Sequence, residues 1–257
     1  MKISLSQAFD EARGVLKREG RLIWPLAFAL LLLPSLIATQ LLPVGPRNEP
    51  APLALVGTLV TLLLGLTGQL AIEWLAIRPG EQVGDSIRRG LRAAPKVFAA
   101  LMLVALPVAL VIMPFLPSLQ GGGEPSPAEA WLMLGLIALV LMVAARMLFA
   151  APVAVAEQPG VIGLLKRSWQ LTRGNGVRLY GFLMTFVIVL GIVSFAAGRG
   201  LGVPIIAALG QPTPWSVSAI LLALVTELAQ IAIAVPFTVM LARLYAQAVA
   251  GEGERPA

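Results

Sequence analysis

Five polar side chains interrupt long apolar runs and are the residues most able to do chemistry. Gln69 and Glu73 are spaced i, i+4, Arg146 stands alone, and Glu227 and Gln230 are spaced i, i+3. An ionisable group inside a bilayer costs on the order of 3 kcal/mol, so each needs a partner or a role. Opposite charge predicts that Glu73 and Arg146 neutralise each other, with Glu227 facing the same interior. Such a cluster suits fastening between helices, or the intramembrane polar site of a transporter or lipid-handling protein. Arg243, near the end of the last apolar run, is expected to snorkel towards the headgroups. The remaining inventory is thin. There is no Cys and no His, which removes thiolate nucleophiles and the commonest general base and metal ligand. No carboxylate sits in a recognisable catalytic motif, and no cofactor or metal is expected. Gly121-Gly122-Gly123 lacks the Lys and hydroxyl of a phosphate loop, and Gly198, Gly200 and Gly202 read as turn residues.

The elements that carry these residues follow from composition. The 257 residues are 58% hydrophobic and 12% charged, with a mean hydropathy of +0.88, against about 25% charged for a soluble domain. The deficit is concentrated in six runs, each long enough to cross a hydrocarbon core about 30 Å thick. They are Leu22 to Leu42, Leu53 to Ile77, Val97 to Leu116, Trp131 to Val155, Leu179 to Ala197 and Val217 to Val249. The fold class is an all-α, polytopic membrane helical bundle. Residues 1–250 form one integral membrane domain, and the tail 251–257 is expected to be disordered. Residues 43–52 and 117–130 read as loops, the second the more flexible by composition. Residues 198–216, Gly- and Pro-rich yet apolar, read as a half-buried or re-entrant turn. Residues 1–20 are amphipathic, so no cleavable signal peptide is expected.

Three short amphipathic helices precede pairs of spans. In the first, Leu5, Ala8, Phe9, Ala12, Val15 and Leu16 share a stripe. Ser4 and Gln7 have capping-box spacing, and Gly20 suits the C′ position. In the second, between Arg78 and Lys96, Val83, Ile87, Leu91, Ala94 and Phe98 share a face, with Asp85 as N-cap and Pro95 at the exit. In the third, Ile162, Leu165 and Trp169 share a side, and Gly174-Asn175-Gly176 ends the helix. Ser6-Gln-Ala-Phe, Gly84-Asp-Ser-Ile and Ile162-Gly-Leu-Leu recur at a period of roughly 78 residues. This predicts three tandem units, 4–77, 78–155 and 157–249; coincidence of helix and loop lengths is the alternative. Gly57, Gly65 and Gly68 are expected to let a neighbouring helix approach the second span.

Positive charge orients the chain. Lys2, Arg13, Lys17, Arg18 and Arg21, then Arg78, Arg88, Arg89, Arg92 and Lys96, then Lys166, Arg167, Arg173 and Arg178 all fall on one side. Only Arg47 and Arg199 oppose them, so both termini and all three surface helices are expected to be cytoplasmic. Trp24, Trp74 and Trp169 at inner boundaries, Trp131 and Trp215 at outer ones, and Tyr180 and Tyr245 near inner ends agree with that orientation. Arg13, Lys17, Arg18, Arg88, Arg89, Arg92, Lys166, Arg167 and Arg173 are candidate contacts to anionic lipid headgroups, each contributing about 1 kcal/mol near such a surface. Topology determination alone is the plainer use for them. The net charge of +6 is a membrane-topology signal, and no basic soluble domain is available to bind nucleic acid.

From Glu157 through Lys166-Arg167-Ser168-Trp169-Gln170-Leu171-Thr172-Arg173-Gly174 to Arg178, after a span ending Arg146…Ala151-Pro152, the chain resembles the membrane domain of bacterial glycerophosphoryl diester phosphodiesterases and related stand-alone six-span inner-membrane families. Arg167, Ser168, Trp169 and Thr172 carry the likeness, and the Ser4 to Gly20 helix and Pro236…Tyr245 also fit. The resemblance implies a membrane domain in the bacterial inner membrane. It does not transfer phosphodiesterase activity, which in fused relatives belongs to a separate soluble barrel carrying His and carboxylates. The expected function is therefore non-enzymatic: a scaffold, partner-binding or lipid-organising module, with transport or lipid handling as the alternative. The expected partners are the bilayer and its anionic headgroups, or a protein.

Overall fold

The computed structural model describes residues 3–41, 52–113 and 126–253, all helix and turn with no strand among them. Six helices are long and apolar enough to cross a membrane, and the protein is a multi-pass membrane protein. The loop segments 43–51 and 117–125, with Arg47 and Gly121-Gly122-Gly123, and residues 254–257 lie outside the described residues.

The first helix, α1 (Leu5–Ala27), runs through a wider π turn at Phe28–Leu32 into α2 (Leu33–Leu41). Ser4 caps it as expected, its hydroxyl accepting from the Gln7 N–H at 3.3 Å. Gly20 does not end the surface segment, because an interior Gly costs only about 1 kcal/mol and burial of Ile23, Leu26 and Ala27 one turn later outweighs it. The π turn sits immediately before Pro34, which has no N–H for the carbonyl four residues back.

The hub of the bundle is α3 (Pro52–Ile77), which touches α1, α2 and three later helices. Gly68 does admit a neighbour: a Cβ there would lie 2.7 Å from the Leu30 Cβ, whereas Gly65 faces open space. Against α3 packs α4 (Val83–Ile112), again one continuous helix from surface into membrane. Pro95 lies inside it, not at an exit, and the N-cap is Gln82, with Asp85 in the first turn. The missing Pro95 hydrogen bond costs about 3 kcal/mol, yet the same helix buries Ala93, Ala94, Val97 and Ala100 on α3.

Next come α5 (Pro127–Met147), a break at Leu148-Phe149, and the short α6 (Ala150–Ala156). Only the third surface helix, α7 (Val161–Leu171), is separated from its span by a true turn, with Gly174 at φ +85°. The fifth span, α8 (Gly176–Ala196), continues through a second π turn at Ala197–Leu201 into α9 (Gly202–Leu209). Residues 198–209 are thus helical and not a re-entrant turn; the apolar VPIIAAL simply prolongs the span. The last helix, α10 (Val217–Gly253), extends beyond a bilayer's need and takes in Gly251 to Gly253, expected to be disordered.

In the first two surface segments the most deeply packed side chains are small, Ala8, Ala12 and Val15, then Ser86, Ala93 and Ala94, whereas the third also buries Leu164 and Leu171. Ser86, Gly90, Ala93 and Val97 are buried in the second, while Leu91 is 60% exposed; Leu164 and Ser168 are buried in the third, while Ile162 is 64% exposed. The expected apolar faces are divided: Phe9, Leu91, Ile162 and Trp169 are exposed, while Ala8, Ala12, Val15 and Ala94 of the same faces are buried. Lipid is as apolar as Leu, so association favours close approach of small residues.

Candidate functional site

The family-like motif lies on α7, where four residues each have a distinct contact. Arg167 Nε donates to both oxygens of Glu157 at 3.0 Å, and its terminal nitrogens reach Glu252 at 2.8 and 3.2 Å. The Tyr245 hydroxyl donates to Glu157 Oε1 at 3.0 Å. One guanidinium thus ties the α6–α7 connection to the far end of α10. A planar fork with five donors suits two carboxylates where a lysine would serve one. Burial pulls the Arg167 pKa down, and the bonds and charges of Glu252 and Glu157 more than offset it, leaving it above its ordinary value.

Ser168, fully buried, donates to the Arg146 carbonyl at 2.9 Å. That carbonyl lies in the last turn of α5, where the helix's own donors run out. The Arg146 guanidinium folds back over the Trp169 ring, 5.1 Å from its centroid, and donates to the Thr172 carbonyl at 3.4 Å. The Thr172 hydroxyl in turn donates to the Trp169 carbonyl at 3.0 Å. After Gly174, Asn175 Oδ1 accepts from the Ile3 N–H at 3.2 Å, and Arg178 donates to the Ile3 carbonyl at 2.7 Å. The N-terminal segment is thereby pinned to the α7–α8 turn.

The five intramembrane polar residues do not form one cluster. Glu73 is fully buried on α3; one oxygen accepts from Gln69 at 3.4 Å and the other has no hydrogen-bond partner among the described residues. Among the described residues no Glu73–Arg146 ion pair forms, because Arg146 is turned towards α7. Glu227 and Gln230 are half-buried on α10, Glu227 on the stripe of Leu224 and Ile231 that packs towards α1 and α3. Arg243 does not snorkel: it holds Glu11 of α1 at 2.7 Å.

Of the candidate lipid contacts, Arg13, Lys17, Arg18, Arg88, Arg92, Lys166 and Arg173 are exposed. Arg89 is half-buried with its guanidinium 4.0 Å from the Trp74 ring centroid, and Trp74 is itself buried, not an interfacial ring. Arg167 is occupied by its two carboxylates and is not free for a headgroup. Arg88, Arg89 and Arg92 line an open polar cavity of about 290 Å³ together with Glu81, Asp85 and Gln158. Sequence reasoning placed Glu157 and Tyr245 within the resemblance without a role and missed Glu252 as their partner at the motif site. The available signal was the i, i+7 spacing of Tyr245 and Glu252, which places both on one face of a prolonged α10.

The arrangement is a set of fasteners. Among the described residues no group of three or more His, Cys, Asp or Glu could hold a metal ion. Six apolar helices joined at one basic end by buried Ser, Thr and Arg contacts define an integral membrane domain. The family described as the membrane domain of glycerophosphoryl diester phosphodiesterase matches residues 127–257, and the chain belongs to it. The match takes in Arg146, the α7 motif, Tyr245 and Glu252; Ile3, Glu11 and the Ser4 to Gly20 helix lie outside it. It is a match to the membrane domain of an enzyme family, with no catalytic domain within it. Among curated proteins and solved structures nothing matches the chain.

Proposed function

We propose that the protein is a non-enzymatic scaffold of the bacterial inner membrane that organises anionic lipid at its basic, cytoplasmic face. Three tandem units (4–77, 78–155 and 157–249) would each contribute one surface segment to that face. The observation that carries this reading is the pairing of exposed cations with exposed bulky apolar side chains on the same short segments. Phe9 accompanies Arg13 and Lys17, Leu91 accompanies Arg88 and Arg92, and Ile162 and Trp169 accompany Lys166 and Arg173. Such a segment gains by laying its apolar side into acyl chains and its cations among headgroups.

The test is lipid recruitment into nanodiscs assembled around the protein from phosphatidylcholine alone or with 30 mol% phosphatidylglycerol, read as enrichment over protein-free discs. The expected result is recruitment that rises with anionic lipid and falls about tenfold or more in Arg88→Ser/Arg92→Ser, from roughly 1 kcal/mol per cation. Recruitment indifferent to lipid charge would leave these residues only a role in orienting the chain. The second reading, transport or lipid handling through an intramembrane polar site, draws on Glu73, whose second oxygen lacks a partner among the described residues.

A further inference from the structure

Between α1, α8 and α10 runs a groove of about 840 Å³, well within the size of small-molecule sites. Its floor is a ladder of three rings: Phe182 and Phe186 of α8 stack on Phe237 of α10, with centroids 4.7 and 3.7 Å apart. Gly181 leaves the wall open, since a Cβ there would meet nothing within 4 Å. Along α8 the lining runs from Gly181 to Val189, which at 1.5 Å per residue is about 12 Å of depth. Apart from Thr185, whose hydroxyl donates to the Gly181 carbonyl at 2.9 Å, this lining is apolar. The charged exceptions stand at one end: Arg13 and Lys17, one turn apart on α1, line the same groove.

Both cations are exposed, and among the described residues neither belongs to an ion pair. Of the neighbouring carboxylates, Glu11 is held by Arg243, and Asp10, one turn before Arg13, is exposed and in no ion pair among the described residues. The groove therefore calls for a ligand with a long hydrocarbon part and a negative group at one end. We propose that it is a binding site for one anionic phospholipid of the adjoining leaflet, an acyl chain lying on the phenylalanine ladder and the phosphate between Arg13 and Lys17. The site rests on the reading that this end of the protein meets anionic lipid, and adds to it a single, saturable position.

A second groove supplies the contrast. Between α4 and α5 lies an apolar space of about 410 Å³, walled by residues such as Val97, Val104, Val140 and Met147, with no charged residue in its lining. It can admit hydrocarbon but offers nothing to a headgroup.

The experiment is native mass spectrometry of the full chain equilibrated with equal amounts of phosphatidylglycerol and phosphatidylcholine of the same acyl composition. The wild type is expected to retain one phosphatidylglycerol, preferred about thirtyfold over phosphatidylcholine, since two cations contribute roughly 1 kcal/mol each. Arg13→Ser/Lys17→Ser should lose the preference while still holding lipid, and Gly181→Leu, which fills the groove, should retain neither. Thermal unfolding of both variants close to that of wild type shows that the fold has survived. Equal retention of the two lipids by wild type, or a preference that persists in the double variant, overturns the site. A preference that disappears only in Arg88→Ser/Arg92→Ser overturns the groove while leaving the broader surface reading standing. Self-association abolished by Gly181→Leu, with no lipid retained, would assign the groove to a second copy and likewise overturn the proposal.

Discussion

The α7–α10 contact and the α3–α4 contact hold the same bundle together by opposite means. At α7–α10 the connection is polar: Arg167 joins Glu157 and Glu252, and Tyr245 completes the set. At α3–α4 it is steric: Gly90 brings α4 against the backbone of α3, and Ser86, Ala93, Ala94 and Val97 line the approach. The difference follows burial. At α7–α10 an arginine can keep two carboxylates and still touch water, its side chain 27% exposed. At α3–α4, where Ser86, Gly90 and Ala93 are buried and an unpaired polar atom costs more, small residues and dispersion contacts do the joining. The two contacts should therefore fail differently when altered.

The steric contact should be the less forgiving. A Cβ on Gly90 would stand 2.6 Å from the Thr67 carbonyl oxygen and 3.2 Å from the Ala71 nitrogen, both backbone atoms that cannot rotate away. Gly90→Ala is expected to cost about 3 kcal/mol, the upper end of overpacking penalties, read as a lowered unfolding temperature in mild detergent. If Gly90→Ala unfolds with wild-type stability, the helices are not in contact there, and the distinction between the two regions collapses.

The polar contact should lose less, and in a way that distinguishes charge from geometry. Arg167→Ala strands Glu157 and Glu252 near one another. For a partly exposed network the cost lies between that of a surface pair and a buried one, about 2 kcal/mol. Arg167→Lys keeps the charge but cannot fork between two carboxylates, so it should recover less than half of the loss. Full recovery by lysine, in the same detergent unfolding assay, would mean that only net charge matters at this site.

These contacts also show which features the sequence exposes. Span number, the Ser4 cap and the Gly174 turn depend on residues within a few positions of one another, and all were legible. The continuity of α1 and α4 was not, because Gly20 and Pro95 are local stop signals overruled by burial against α3. The Arg167–Glu252 pair joins residues 85 apart, and glycines on either side of Glu252 disguised it as part of a loose tail. The Glu73–Arg146 pairing failed for a related reason: composition identifies charges inside spans but not the rotation of each span about its axis. The surface segments teach the same lesson: each apolar stripe was legible, but not which of its residues pack inward, as Ala12 and Ala94 do, and which stay exposed, as Phe9 and Leu91 do.

Glu73 supplies the finest distinction, since it is a polar residue set within the steric region. It sits one turn from Gln69 and beside Trp74, whose indole N–H is also buried without a partner among the described residues. If close packing is what holds α3 in place, its carboxyl contributes shape and little else. Glu73→Gln keeps that shape, keeps an oxygen for the Gln69 amide, and removes an ionisable group from the interior. The variant should unfold within about 1 kcal/mol of wild type, because an ionisable group leaves the interior while the unpartnered oxygen is exchanged for an equally unpartnered amide nitrogen. The measurement is the same unfolding temperature, with Glu73→Ala beside it to report the cavity, expected to lose about 1–3 kcal/mol for the vacated volume. A loss in Glu73→Gln as large as that in Glu73→Ala would show that the ionisable carboxyl, and not its bulk, is what this position requires, which would strengthen the transport reading at the expense of the scaffold.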